Sequence, residues 1–103
     1  MIYIEWSVTA FARLEDLPEK IAFDILDRTD RLASFPEMGT PLKHLYPRFG
    51  NCRQLIYKRS YRLIYVYEAE EQLIRILVLQ HCRQKLPTIS DLHRSLKEID
   101  IEE

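Results

Sequence analysis

Three segments rich in β-branched and aromatic residues crowd the second half of the chain, at residues 53–57, 61–67 and 73–80. Such side chains fit the pleated, half-buried surface of a strand. Only Lys58-Arg59-Ser60 separates the first two segments, and residues 68–72 separate the last two. Parallel neighbours need a crossover of about a dozen residues or more, so links this short impose an antiparallel meander. Everything else in the chain must pack against that ribbon.

The first half supplies one strand and two helices. Ile2, Ile4 and Trp6 alternate with Tyr3 and Glu5, which is strand periodicity. Ser7 or Thr9 offers an N-cap for a helix reaching about Leu17, with Ala10, Phe11, Leu14 and Leu17 on one face. Pro18 ends that helix and suits the first turn of a second, predicted over residues 18–34, with Asp16 placed to cap it. Ile21, Ala22, Ile25, Leu26, Thr29, Leu32 and Ala33 form its apolar stripe, and Phe23 is the large apolar residue off the stripe. Phe35-Pro36-Glu37-Met38-Gly39-Thr40-Pro41 breaks the helix, and a polar, basic loop continues to Gly50-Asn51.

After Pro87, Thr88 and Asp91 resemble a capping box. Ile89, Leu92, Leu96 and Ile99 then mark a helical tail over residues 88–103, with a stripe too short to dock strongly by itself. The order β-α-α-β-β-β predicts a single α+β domain over residues 1–103. One twisted sheet carries the helical hairpin on one face, and the other face, left open by the hairpin, is where function is expected.

Composition narrows the class. A chain of 103 residues has room for one core. With 47% hydrophobic and 30% charged residues it can bury enough apolar surface to fold. Only 2 Gly and 5 Pro exclude a collagen-like or linker-like chain. No apolar run approaches the roughly 20 residues of a membrane span. The N-terminus has no basic region followed by a long apolar stretch, so no signal peptide, no membrane partner and a cytoplasmic location are expected. Cys52 and Cys82 lack metal spacing and read as small buried hydrophobes. Phosphate loops, His-x-x-x-His pairs and nucleophile motifs are absent, so neither a metal nor a small-molecule cofactor is expected.

Charge is unevenly placed. Net charge is −1, yet residues 38–67 hold Lys43, Arg48, Arg53, Lys58, Arg59 and Arg62 with no acid, while both flanks are acidic. Arg62 shares a strand face with Ile64 and Val66, where an unpaired cation is costly. It therefore needs either an acidic partner from the helices or an anion that its fork can grip. His81 and Arg83 end the last strand, a rigidly held position that reaches solvent. Arg53 starts the first meander strand and is expected to face the same surface. Lys58 and Arg59 read as solvated turn charges. Tyr57, Tyr61, Tyr65 and Tyr67 read first as cross-strand packing and second as a stacking surface for bases.

These residues carry a resemblance. Phe35-Pro36-Glu37-Met38-Gly39, then Arg53-Gln54-Leu55, then Tyr61-Arg62-Leu63-Ile64-Tyr65, then Ile76-Leu77-Val78-Leu79 running into His81-Cys82-Arg83, resemble the ParE/RelE toxin superfamily in order and spacing. The likeness spans about residues 1–87. It implies the toxin of a type II toxin–antitoxin module, silenced by a cognate antitoxin whose C-terminal segment wraps it. RelE-like members cut messenger RNA on the ribosome with basic sheet residues and a late Tyr or His as acid–base group. ParE-like members inhibit DNA gyrase and need no such groups.

Arg62 matches the Arg of the Y-R-x-x-Y hairpin, and Arg83 matches the Arg ending the last strand. No Tyr follows Tyr67, residues 53–57 lack alternate lysines, and the net charge is low for docking on ribosomal RNA. The expectation is therefore a ParE-like gyrase inhibitor. The alternatives are a ribosome-dependent endoribonuclease using Arg53, Arg62, His81 and Arg83, and a non-toxic or decayed binding module. The tail helix is expected on the sheet or near the antitoxin groove.

Overall fold

The structure, a computed structural model, describes residues 1–100. β3 (Cys52–Tyr57), β4 (Tyr61–Glu68) and β5 (Leu73–His81) form the expected meander. β1 (Tyr3–Trp6) lies beside β5 and parallel to it, with Tyr3 opposite Leu73 and Trp6 opposite Ile76. Parallel pairing is open to this strand because α1 (Val8–Glu15) and α2 (Glu19–Asp30) carry the chain back over the sheet before β3 begins. Thr40 and Pro41 add a two-residue strand, β2, on the far edge against β3, where the sequence predicts only loop. The order across the sheet is β1-β5-β4-β3-β2.

Helix ends follow side-chain chemistry. The Ser7 hydroxyl accepts the Ala10 N–H at 3.1 Å and donates to the Leu77 carbonyl at 3.0 Å, so the N-cap of α1 also ties that helix to β5. Asp16 closes α1 as its C-cap and does not cap α2, which starts after Pro18 with no side-chain cap. α2 stops at Asp30 and tightens into a short 3-10 turn, Arg31–Ala33, before the proline-rich break.

The hairpin face holds one core, in which Leu14, Ile25 and Leu32 meet Leu63, Tyr65, Ile74 and Ile76. The other face holds a second core, and here the structure corrects the expectation of an open surface. α3 (Ile89–Asp100) and the loop after β2 cover much of that face, with Leu92, Leu42 and Tyr46 packed on Ile64, Val66 and Leu77. A β-bulge in β5 adds to the apolar area there. Ile64 pairs with Val78 but Tyr65 with Ile76, so Leu77 is an extra residue, and Leu77 and Val78 both serve the second core. That gives α3 an apolar seat.

α3 is fastened at both ends. Thr88 and Asp91 form the expected reciprocal cap, with the Thr88 N–H donating to Asp91 Oδ2 at 3.0 Å and the Asp91 N–H to Thr88 Oγ1 at 3.1 Å. Near its other end, Glu98 accepts the Thr9 N–H at 3.0 Å and the Thr9 hydroxyl at 2.8 Å, capping the first turn of α1 with a carboxylate from α3.

Candidate functional site

Beside α3, the second face keeps a polar strip where β3, β4 and β5 run together. Arg62 sits at its centre, half-buried, with Gln80 directly opposite on β5 and Ile56 opposite on β3. Its Nε donates to Gln54 Oε1 at 3.0 Å and its Nη1 to Gln80 Oε1 at 3.0 Å. Both partners are neutral amides and neither is an acid from the helices. The guanidinium is thus held in a fixed plane, with no ion pair among the described residues and N–H donors to spare.

Gln80 passes that order onward. Its Nε2 donates to the Lys85 carbonyl at 3.2 Å. The turn after β5 is closed by three further bonds: His81 N–H to Gln84 Oε1 at 3.0 Å, Gln84 N–H to the His81 carbonyl at 3.0 Å, and Arg83 N–H to His81 Nδ1 at 3.1 Å. This turn presents Arg83 to solvent, where its guanidinium has no hydrogen bond or ion pair among the described residues.

His81 faces the other way. It pairs with Tyr61 on the helix side, ring centroids 5.4 Å apart, and lines a cleft of about 230 Å³ with Arg13, Asp16 and Leu17. Since Nδ1 accepts a backbone N–H, the ring proton of the neutral imidazole sits on Nε2. Arg53 also lies on the helix side and is committed to structure. Its Nη1 donates to the Glu37 carbonyl at 3.1 Å and the Gly39 carbonyl at 2.7 Å. The Tyr65 hydroxyl completes that anchor by donating to the Pro36 carbonyl at 2.8 Å and accepting the Gly39 N–H at 2.9 Å. Of the four residues singled out in the sequence, Arg62 alone occupies the open strip. Arg83 stands at its end, and His81 and Arg53 are on the opposite side of the sheet.

Three neighbours of Arg62 escaped the sequence reading. Gln54 and Gln80 flank it by strand register, a signal available once the meander is paired residue by residue. Tyr46 lies in a loop with no periodicity to reveal it. Burial pushes its phenol above the usual range, with the Arg62 charge opposing that shift, and its hydroxyl donates to the Pro87 carbonyl at 2.7 Å. It serves as a clamp on the approach to α3, with its proton already engaged. The meander tyrosines pack with the helix-side core, as cross-strand packing predicts. Cys52 is buried and its thiol is pushed up to about 11 by desolvation, which makes it inert at neutral pH.

The same sheet and hairpin occur in solved bacterial toxins. The isolated E. coli RelE toxin superposes with a TM-score of 0.66 at 13% identity, covering 96% of this chain and 99% of that one. The RelBE2 toxin–antitoxin complex from Mycobacterium tuberculosis matches at 0.66 and 23% identity over 78% of this chain and 96% of the other. The intact E. coli RelBE complex matches at 0.63 and 14%, over 78% and 95%. A search of curated proteins finds no match. The fold is therefore that of the ParE/RelE toxins of type II toxin–antitoxin modules. Within that class, the family model described as the ParE toxin of the parDE type II toxin–antitoxin system matches residues 4–86, and the chain belongs to the ParE toxin family.

Proposed function

We propose that this toxin acts on DNA gyrase as a protein inhibitor and carries no nuclease centre of its own. The observation that supports the reading is the scatter of the groups a nuclease would have to converge. Stabilising a phosphoryl transition state takes cations and an acid–base group aimed at one point about 3 Å away. Here Arg62 is on one face, His81 on the other, Arg53 is bonded to loop carbonyls, and Tyr46 donates to Pro87. The match to the ParE family over residues 4–86 points the same way.

An antitoxin polypeptide encoded beside the toxin neutralises it, as the toxins of the two RelBE complexes are paired with theirs. A gyrase target places the site of action in the cytoplasm.

The test is a supercoiling assay with purified toxin, run beside transcript mapping in cells expressing it. Loss of supercoiling or accumulation of cleaved DNA–gyrase complex at micromolar toxin, with transcripts intact, is the expected result. Codon-positioned cuts in messages with gyrase unaffected would instead select the ribonuclease reading, and Arg62→Ala would then abolish them.

A further inference from the structure

We infer that the end of the sheet around the Lys58-Arg59 turn is a docking surface for the phosphate backbone of duplex DNA. The inference rests on the gyrase reading, since gyrase works on duplex DNA and a toxin reaching the enzyme–DNA complex meets both components.

The turn itself is the first observation. Ser60 N–H donates to the Tyr57 carbonyl at 2.9 Å, and between them Lys58 and Arg59 have φ of 47° and 59°. A β-turn with both central residues in the left-handed region is of type I′, which Asn-Gly or Asp-Gly forms with least strain. The sequence places two long cations there instead. Backbone strain of this sort persists where a side chain is wanted for another reason. Lys58 Nζ stands 5.5 Å over the Tyr57 ring, and no hydrogen bond or ion pair holds the Arg59 head group among the described residues.

The second observation is what lies beside it. Cys82 N–H donates to the Ser60 carbonyl at 2.8 Å, so the turn after β5 is stitched to the hairpin turn. That stitched turn carries Arg83 and Lys85, both exposed, and Arg62 is one step inside the hairpin. β3 and β5 end here and β4 begins here, so topology alone gathers Lys58, Arg59, Arg62, Arg83 and Lys85 within strands spaced about 4.8 Å apart. The other end of the sheet carries Glu68, Glu70 and Glu71 beside Asn51, with Arg75 paired to Glu68 at 3.6 Å and to Glu71 at 3.9 Å. The net charge of −1 conceals a local cluster of cations at this end of the sheet. The nearby acids lie on the helix side or on α3. Asp24 accepts the Tyr57 hydroxyl, Asp91 is bonded to Thr88 and Arg94, and Asp16 lines the His81 cleft on the helix side.

Cations spread along a rim suit a ligand whose charge is also spread. Duplex DNA carries one negative charge per about 1.7 Å of axis. A single strand would be gripped by stacking its bases on aromatic rings. Tyr57, Tyr65 and Tyr67 pack toward the helices, and the Tyr61 and His81 rings at this end engage each other edge to face on the helix side, 5.4 Å apart. Backbone contact with a duplex is the chemistry that remains.

Fluorescence anisotropy of a labelled 20-base-pair duplex with the full chain tests this. Binding is expected to weaken with salt, with log K falling against log salt at a slope of about −3 to −5 for that many contacts. The variant Lys58→Asn/Arg59→Gly removes both charges and installs the relaxed turn pair. It is expected to raise Tm while lowering duplex affinity about tenfold and flattening the slope by about two. A higher Tm with weaker binding separates lost contact from lost fold. Arg83→Gln/Lys85→Gln, at exposed positions, should flatten the slope similarly. Salt-independent binding, equal affinity in wild type and both variants, or tighter binding to single-stranded RNA of the same length overturns the surface. Gyrase inhibition without duplex affinity sinks the surface and leaves the gyrase reading standing. Duplex affinity with gyrase untouched does the reverse.

Discussion

Arg62 and Gln80 face each other across β4 and β5, with the guanidinium Nη1 3.0 Å from the amide Oε1. The same amide holds the Lys85 carbonyl through Nε2, so one side chain fixes both the central cation and the turn that presents Arg83. Gln80→Ala should therefore loosen two things at once. Amide exchange across residues 82–86 is expected to rise, and stability to fall by about 1–2 kcal/mol for the two lost bonds, read from urea denaturation. Exchange in that turn unchanged from wild type would show that Gln80 does not hold it.

Cys52 provides a chemical probe of the second core. The side chain is buried, and desolvation pushes its thiol up to about 11. At pH 8 it then carries about a hundredfold less thiolate than an unburied cysteine. Alkylation in native protein should spare Cys52 and become rapid in denaturant, with peptide mapping as the readout. Fast native labelling at Cys52 would mean that α3 and the loop over it open readily.

How much of this was legible follows from parity and length. The meander was legible because short links leave two strands no choice of direction. The run from Leu73 to Gln80 was legible as a strand, but the cover over its second face was not read from it. The bulge at Leu77 was not, because it is set by which backbone pairs close across β4 and not by side-chain type. Nor was β2, since the pair Thr40 and Pro41 has no period to detect. Arg62 was marked as needing either an acid from the helices or an anion, and two glutamines supplied by register stand where the acid was expected. His81 and Gln80 are adjacent in sequence and therefore on opposite faces, and because Gln80 pairs with Arg62, His81 lies on the side away from it. That register was hidden with the bulge, since unbroken pairing from Glu68 opposite Leu73 sets Arg62 opposite Leu79 and puts His81 on the same face as Arg62.

Gly39 is required by a close approach. A Cβ there would lie 2.7 Å from the Gln54 carbonyl oxygen and 2.8 Å from both Cε1 and the hydroxyl of Tyr65. Backbone on one side and a fully buried ring on the other leave nothing that yields cheaply. Gly39→Ala should cost roughly 2–3 kcal/mol, the scale of overpacking in a well-filled site. Tyr65→Phe removes the hydroxyl that bonds Pro36 and Gly39, and should cost roughly 1–3 kcal/mol with the fold retained. The double variant should cost less than the sum, because the missing hydroxyl takes away part of the clash. Simple additivity in urea midpoints would refute that account of the loop.

Asp91 makes the docking of α3 depend on pH. Its carboxylate accepts the Thr88 N–H, and this bond, with the Thr88 hydroxyl and Arg94 assisting, holds its pKa below the usual carboxylate range. A depressed folded-state pKa means that the unfolded chain takes up the proton first. The stabilisation is therefore complete above about pH 4–5 and is lost as pH falls through the folded value. Between pH 7 and pH 3 the protection of α3 amides should drop relative to those of β4 and β5. Thr88→Val, which removes the hydroxyl that accepts the Asp91 N–H and assists the carboxylate, should weaken α3 at pH 7 and shrink its pH dependence. Parallel loss of protection in helix and sheet as the pH falls would instead assign the acid sensitivity to the fold as a whole.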